Sequence, residues 1–246
     1  MTQIKHIVEQ IDQVLKMAAR YSVMSVNINI QRNVIEMINN ASSKNIINLE
    51  KSIRKNDDFL SNLFKSSDIS FKFFKSLLQF MVYMKENNAE EAWNRLIEAQ
   101  NLLSLSVQIN PSQFGFDKYI KELDDYERLL FPKQVFLSPA YYSDNLECTI
   151  CNNSLFKCNH ITGQLYSGKI CQLRITKLNL DHIAIVDDPL DKRRRVTSTE
   201  QEDYTYENTI TLERTPMTHK EIEQSKNDGG KTKGFKAMVI HRNEEL

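Results

Sequence analysis

The sequence predicts an α+β chain: a helical N-terminal domain followed by a small zinc-stabilised β-rich domain. Three observations carry that expectation. All six glycines and all five prolines of the 246 residues lie after residue 110. Before that point the apolar residues recur at spacings of three and four, the period of an amphipathic helix. All four cysteines fall between Cys148 and Cys171. A run free of Gly and Pro suits helices joined by Asn, Ser and Lys connectors, because the tight turns of a hairpin-rich sheet draw on glycine and proline. The expected division is a helical bundle over 1–135, a zinc-binding β-rich module over 140–215, and a C-terminal helix, flexible linker and edge strand over 216–246.

In the first region Ile4, Ile7, Val8, Ile11, Val14, Leu15 and Ala18 make one apolar face against Lys5, Glu9, Asp12 and Lys16. Met24, Val26, Ile28 and Ile30 alternate as a half-buried strand does, but the helical context on both sides favours helix. Val34, Ile35 and Ile38 keep the helical period, as do Ile46, Ile47, Leu49 and Ile53 after a break at Ser42-Ser43. Asp68 reads as the cap of a helix that turns Phe71, Phe74, Leu77, Leu78, Met81 and Val82 inward. Asn87-Asn88 make a turn, and Ala92, Trp93, Leu96, Ala99 and Leu103 follow as the second arm of a helical hairpin. This arm resembles one from a tetratricopeptide array, but no second copy appears at a period near 34, so a single hairpin is expected. Trp93 and the Phe cluster belong to a core rather than a ligand platform. The last helix of the region runs from Phe116 to Leu130 and ends before Pro132.

The cysteines carry the strongest chemical signal. Cys148-Thr-Ile-Cys151 is followed after six residues by Cys158-Asn-His160. Zinc takes four N or S donors in a tetrahedron, and a Cys-x-x-Cys turn aims two sulfurs at one point. Cys158 and His160 are two apart, so an extended chain projects both to the same side. The expected metal ligands are therefore Cys148, Cys151, Cys158 and His160, with Zn2+ as the ion. Cys171 or His182 could replace His160. Four protein ligands leave no open position, which points to a structural site. A redox pair at Cys148 and Cys151 would want a helix after it, whereas Asn152-Asn153-Ser154 favours a turn. Beyond the cluster, Gly163 to Gly168 suggests a hairpin, Ile170 to Ile175 and His182 to Val186 suggest strands, and Asp187-Asp188-Pro189 suggests a turn.

The block Cys148-x2-Cys151-x6-Cys158-x-His160-x2-Gly163-x2-Tyr166-x-Gly168-x2-Cys171 resembles a zinc-knuckle segment of uncharacterised phage-associated and bacterial proteins. The next stretch, Leu180-Asp181-His182-Ile183-Ala184-Ile185-Val186-x2-Pro189, is similar to the late strand of phage prohead proteases, which have a herpesvirus-protease-like β-barrel. That family typically carries a Ser where this chain has Ala184. The resemblance thus implies a related strand and argues against peptidase activity.

Lys192, Arg193, Arg194 and Arg195 form the one dense basic run and are the candidate phosphate or nucleic-acid contacts. Their setting is not basic. Residues 1–135 hold 17 basic and 16 acidic side chains, and residues 136–246 hold 15 and 16. Such balance disfavours a dedicated polyanion binder. Tyr204, Tyr206, Ile210 and Leu212 alternate like a strand, and Thr218 with Glu221 is a capping box opening a short helix. Residues 227–234 read as a linker, with Phe235 to His241 as an edge strand. No secretory signal or transmembrane run is evident, so a reducing cytoplasmic setting is expected. The functional expectation is an adaptor whose zinc site presents a protein-recognition surface to a partner or a second copy. The alternatives are a metal-dependent or protease-like hydrolase using His182 or Asp187-Asp188, and a nucleic-acid binder.

Overall fold

Asparagine takes the turn positions that glycine fills in most chains. The computed structural model describes residues 2–109, 115–143, 146–227 and 234–237. Its first elements are the helices α1 (Thr2–Tyr21), α2 (Ile28–Arg54), α3 (Asp58–Lys85), α4 (Ala89–Ile109) and α5 (Asp117–Leu130). Asn56 and Asn87 adopt φ of 52° and 55° in the turns after α2 and α3, where a left-handed residue ends a helix and glycine is the usual choice. Asn88 then accepts the Glu91 amide at 3.3 Å to open α4. That is how a run without glycine or proline still turns sharply.

The alternating segment at Met24 is not helical throughout. Residues 23–26 turn, and α2 begins only at Ile28. Asn27 causes the switch, since its side chain accepts the Asn29 amide at 2.9 Å and caps the helix. Asp68 is likewise not a cap. It lies inside α3, buried, beside Ser42 at 3.3 Å and Lys72 at 3.3 Å. The cap of α3 is Asp57, whose carboxylate accepts the Leu60 amide at 3.0 Å. Replacing Asp57 by Ala is expected to cost about 1 kcal/mol in urea unfolding, whereas no change would remove Asp57 from this role. Nor does α2 break at Ser42-Ser43. Ser43 bonds back to the Asn39 carbonyl at 3.0 Å, and the helix continues.

The chain divides into two compact units, and the boundary falls within α5. The first contains residues 1–125 together with 143–178, so the cysteine segment groups with the helices rather than with the later strands. This differs from a boundary near 135. Here α3 packs against both α2 and α4, and its aromatic face makes the core. Phe73 is fully buried, with Phe74, Tyr119 and Phe116 rings at 4.8, 5.4 and 5.6 Å. Trp93 is also buried in this core, as expected. Ser61, Ser67, Ser70 and Ser76 are buried along α3. Ser67 and Ser70 satisfy their hydroxyls on carbonyls one turn back, at 2.8 and 3.1 Å, while their small size leaves room for neighbouring helices.

The same unit holds four short strands, β2 (Leu146–Cys148), β3 (Leu165–Tyr166), β4 (Lys169–Ile170) and β5 (Leu173–Ile175), paired antiparallel as β2–β5 and β3–β4. The second unit holds residues 126–142 and 179–246. Its β1 (Phe136–Tyr142) pairs antiparallel with β6 (Asn179–Val186). Its β7 (Val196–Glu200), β8 (Thr205–Asn208), β9 (Arg214–Pro216) and β10 (Phe235–Ala237) form a four-stranded sheet in the order β10-β7-β8-β9. The helix α6 (His219–Asn227) opens on the expected capping box, with Glu221 accepting the Thr218 amide at 2.8 Å. The expected linker lies mostly outside the described residues, as does the tail beyond Ala237. Among the described residues, no helix is long and apolar enough to cross a membrane.

Candidate metal centre

A strand end, a tight turn and a short 3₁₀ turn bring the first three sulfurs together. Cys148 closes β2, where pairing of Cys148 with Leu173 fixes its backbone. The chain then reverses. The Asn152 amide donates to the Cys148 carbonyl at 2.8 Å, and Asn152 takes a φ of 56°. The Ile150 amide points at Cys148 Sγ at 3.3 Å, and the His160 amide at Cys158 Sγ at 3.2 Å. Backbone N–H groups aimed at sulfur stabilise thiolates, the form in which cysteine binds metal. The 3₁₀ turn Leu155–Lys157 carries the chain from Cys151 to Cys158.

The expected ligands converge. The donor atoms of Cys148, Cys151, Cys158 and His160 all lie within 4.8 Å of one another. Cys151 and Cys158 sulfurs are 3.5 Å apart, and His160 Nδ1 is 3.3 Å from Cys158 Sγ and 3.7 Å from Cys148 Sγ. Zinc–sulfur bonds of about 2.3 Å at tetrahedral angles set sulfur–sulfur edges of about 3.8 Å. This Cys3His group therefore has the donor set and spacing to hold a metal ion. The His160 ring meets Tyr166 edge-on at 4.5 Å, and the Tyr166 hydroxyl accepts the Ile161 amide at 3.0 Å.

Proton affinities within the cluster split. Burial pushes the Cys148 thiol up, but amide hydrogen bonds from Cys151 and Ile150, with the Cys158 and Cys171 side chains, outweigh it and bring it down to about 6. The His160 amide favours the Cys158 thiolate, yet burial and the Cys148 and Cys151 side chains prevail and push it up to about 11. Burial and the same Cys148 neighbour push Cys171 up to about 11. One thiolate discourages the next in a crowded site, and a dication relieves that repulsion.

The cysteine segment is also tied to the helices of its own unit, which the sequence did not foretell. The Ser167 hydroxyl donates to Asp58 at 2.6 Å, the Gly168 amide to Asn62 at 2.8 Å, and the Gln108 side chain to the Thr162 carbonyl at 3.1 Å. Gly168 turns the β3–β4 hairpin at a φ of +76°, and a Cβ there would sit 2.9 Å from Leu49 Cδ1 and 3.1 Å from Ser61 Cβ. Gly168→Ala is therefore expected to cost about 1–3 kcal/mol, read as a lower thermal midpoint. A neutral outcome would mean that the hairpin does not seat on α2 and α3.

The other sequence candidates lie elsewhere in the chain. His182 is on β6, bonded to Asp181 at 2.9 Å, and Asp187 pairs with Lys133 at 3.0 Å in an exposed turn. The basic run is drawn into its own unit. Lys192 holds Glu127 at 2.8 Å, Arg193 holds Asp191 at 2.9 Å, and Arg195 is buried with Nη1 donating to Thr209 at 3.0 Å. Arg194 completes the run, half-buried. Partial burial pushes the Asp191 carboxyl up, but hydrogen bonds and charge from Arg193 outweigh it and hold it below the usual carboxylate range. A depressed carboxylate stabilises above its unfolded value near 4 and loses that contribution as pH falls through the lower folded value. The stability gap between wild type and Arg193→Ala should then shrink below about pH 4 in urea melts; a constant gap would contradict the pairing. Compared with known proteins, the chain matches no family model, no curated protein and no solved structure.

Proposed function

We propose that this is a zinc-binding interaction protein in which a closed Cys3His centre pins a loop for protein recognition. The observation that carries this reading is the convergence of Cys148, Cys151, Cys158 and His160 on one point. Four protein donors fill a tetrahedron, which suits a structural ion rather than one that activates water. Zinc is favoured because three thiolates and an imidazole match its borderline softness and lack of geometric preference. Free thiols at all four cysteines fit a reducing compartment such as the cytoplasm.

The recognition role rests on what the pinned loop exposes. Phe156, on the 3₁₀ turn between two ligands, is 94% exposed, and Ile161, next to His160, is 65% exposed. Large apolar side chains held rigidly in solvent are typical anchors of protein interfaces. Metal content and partner retention test the two halves separately. Wild type and Phe156→Ala should each carry one zinc per chain, while only wild type retains its partner protein or self-associates. Equal retention by both would sink the recognition surface and leave the metal assignment standing.

A further inference from the structure

Zinc takes four ligands, and the four donors that lie within 4.8 Å of one another have a fifth beside Cys148. The fifth is Cys171, whose Sγ lies 3.7 Å from Cys148 Sγ. That separation matches the edge of about 3.8 Å expected for two sulfurs on one tetrahedral ion. Cys171 is 1% exposed and held by two backbone bonds of 2.8 Å, its amide to the Gln164 carbonyl and the Gly163 amide to its own carbonyl. Its sulfur is therefore positioned against the cluster rather than placed there by a loose loop.

His160 is the donor with somewhere else to go. Its Nδ1 sits 3.3 Å from Cys158 Sγ. That is shorter than the nitrogen–sulfur edge of about 3.6 Å on tetrahedral zinc, and it is a good length for N–H donation to sulfur. Tyr166 meets the ring edge-on with centroids 4.5 Å apart, a contact that does not use the imidazole nitrogens' lone pairs.

We propose that Cys171 is a ligand of the same centre, exchanging with His160 for the fourth position while Cys148, Cys151 and Cys158 stay bound. This rests on the metal-binding reading above. In the exchange the Cys171 thiol loses its proton to water and forms a sulfur–metal bond. The His160–metal bond breaks, the imidazole leaves neutral and becomes a hydrogen-bond partner of a thiolate, and the centre gains one negative charge. Softer ions favour the four-sulfur form, so the site accepts thiophilic d10 cations as a class, with Cd2+ drawing in Cys171 more strongly than Zn2+.

The test loads full-length protein with Co2+ and Cd2+ under reducing conditions. His160→Ala should still bind one Co2+, with visible bands moved to the lower energy of four-sulfur ligation. Cys171→Ser should bind one Co2+ with three sulfurs and one nitrogen, and only the double variant should lose the ion. In Cd2+ protein, Cys171→Ser should lower the thiolate charge-transfer absorbance by about a quarter, one bond in four. Loss of metal from a His160→Ala protein that keeps its far-ultraviolet helical signal overturns the proposal. So does a Cd2+ absorbance unchanged in Cys171→Ser, which decides the matter even where His160→Ala fails to fold. Wild type that binds neither ion overturns the metal reading itself.

Discussion

Cys148→Ser is expected to abolish stoichiometric metal binding and to unfold the segment 146–178 while leaving the helices formed. Cys148 is one of the four converging donors, with His160 Nδ1 and Cys171 Sγ each 3.7 Å from its sulfur. It is one of the three sulfurs held in both forms of the centre, so Cys171, which exchanges with His160 alone, does not replace it. A structural zinc site contributes roughly 10–16 kcal/mol of apparent binding free energy, and that energy is folding energy for the segment that supplies the ligands. Little apolar burial replaces it. Cys148 and Cys171 are the buried hydrophobic residues of 146–178, and the strands there are two or three residues long. Hydrogen exchange should report the loss as rapid exchange at the Ile150, His160, Gly163 and Cys171 amides, which are bonded in the folded segment. Protection at α3 and α4 should persist, because their core rests on Phe73, Leu77, Trp93 and Leu96. Retained metal and retained protection in Cys148→Ser would contradict the assignment.

The complementary result comes from the helical core. Phe73→Ala should destabilise the protein by about 3–5 kcal/mol, in keeping with truncation of a fully buried aromatic. Phe73 meets three aromatic rings within 5.6 Å, two of them from α5 or the residue before it. Truncation removes its transfer free energy and those edge contacts, and leaves a cavity that the surrounding helices cannot collapse around together. Chemical denaturation followed by helical circular dichroism measures the change. Metal content per folded chain should stay the same, since the cysteines and His160 do not depend on that ring. A loss under about 1 kcal/mol would mean that the α3–α5 core is not packed as described.

The helices were legible because their apolar period survives any tertiary arrangement. Leu77, Leu78, Met81 and Trp93 occupy the core that their spacing implies. At Asp68, Ser42-Ser43 and Met24 the local chemistry has two outcomes, and the pattern alone favours the wrong one. An Asp or Ser caps a helix or bonds within one, depending on a partner distant in sequence, as Asp68 does with Ser42 across two helices. The candidate donor set was legible for a different reason. Cys-x-x-Cys and Cys-x-His fix their geometry within a few residues, so no long-range packing was needed to foresee the convergence of Cys148, Cys151, Cys158 and His160. Cys171 is thirteen residues beyond Cys158, and its place depends on the β3–β4 hairpin, whose pairing spacing alone does not determine. The basic run shows the same limit. Lys192 meets Glu127, 65 residues away, and such a pairing is invisible to charge counting.

Native mass spectrometry of the full chain, purified under reducing conditions without chelator, tests the metal centre most directly. The expected spectrum shows one zinc ion bound to each chain, lost on treatment with a strong chelator together with protection of residues 146–178. A chain that stays metal-free with all four thiols reduced, and whose thermal midpoint ignores added zinc, would contradict it.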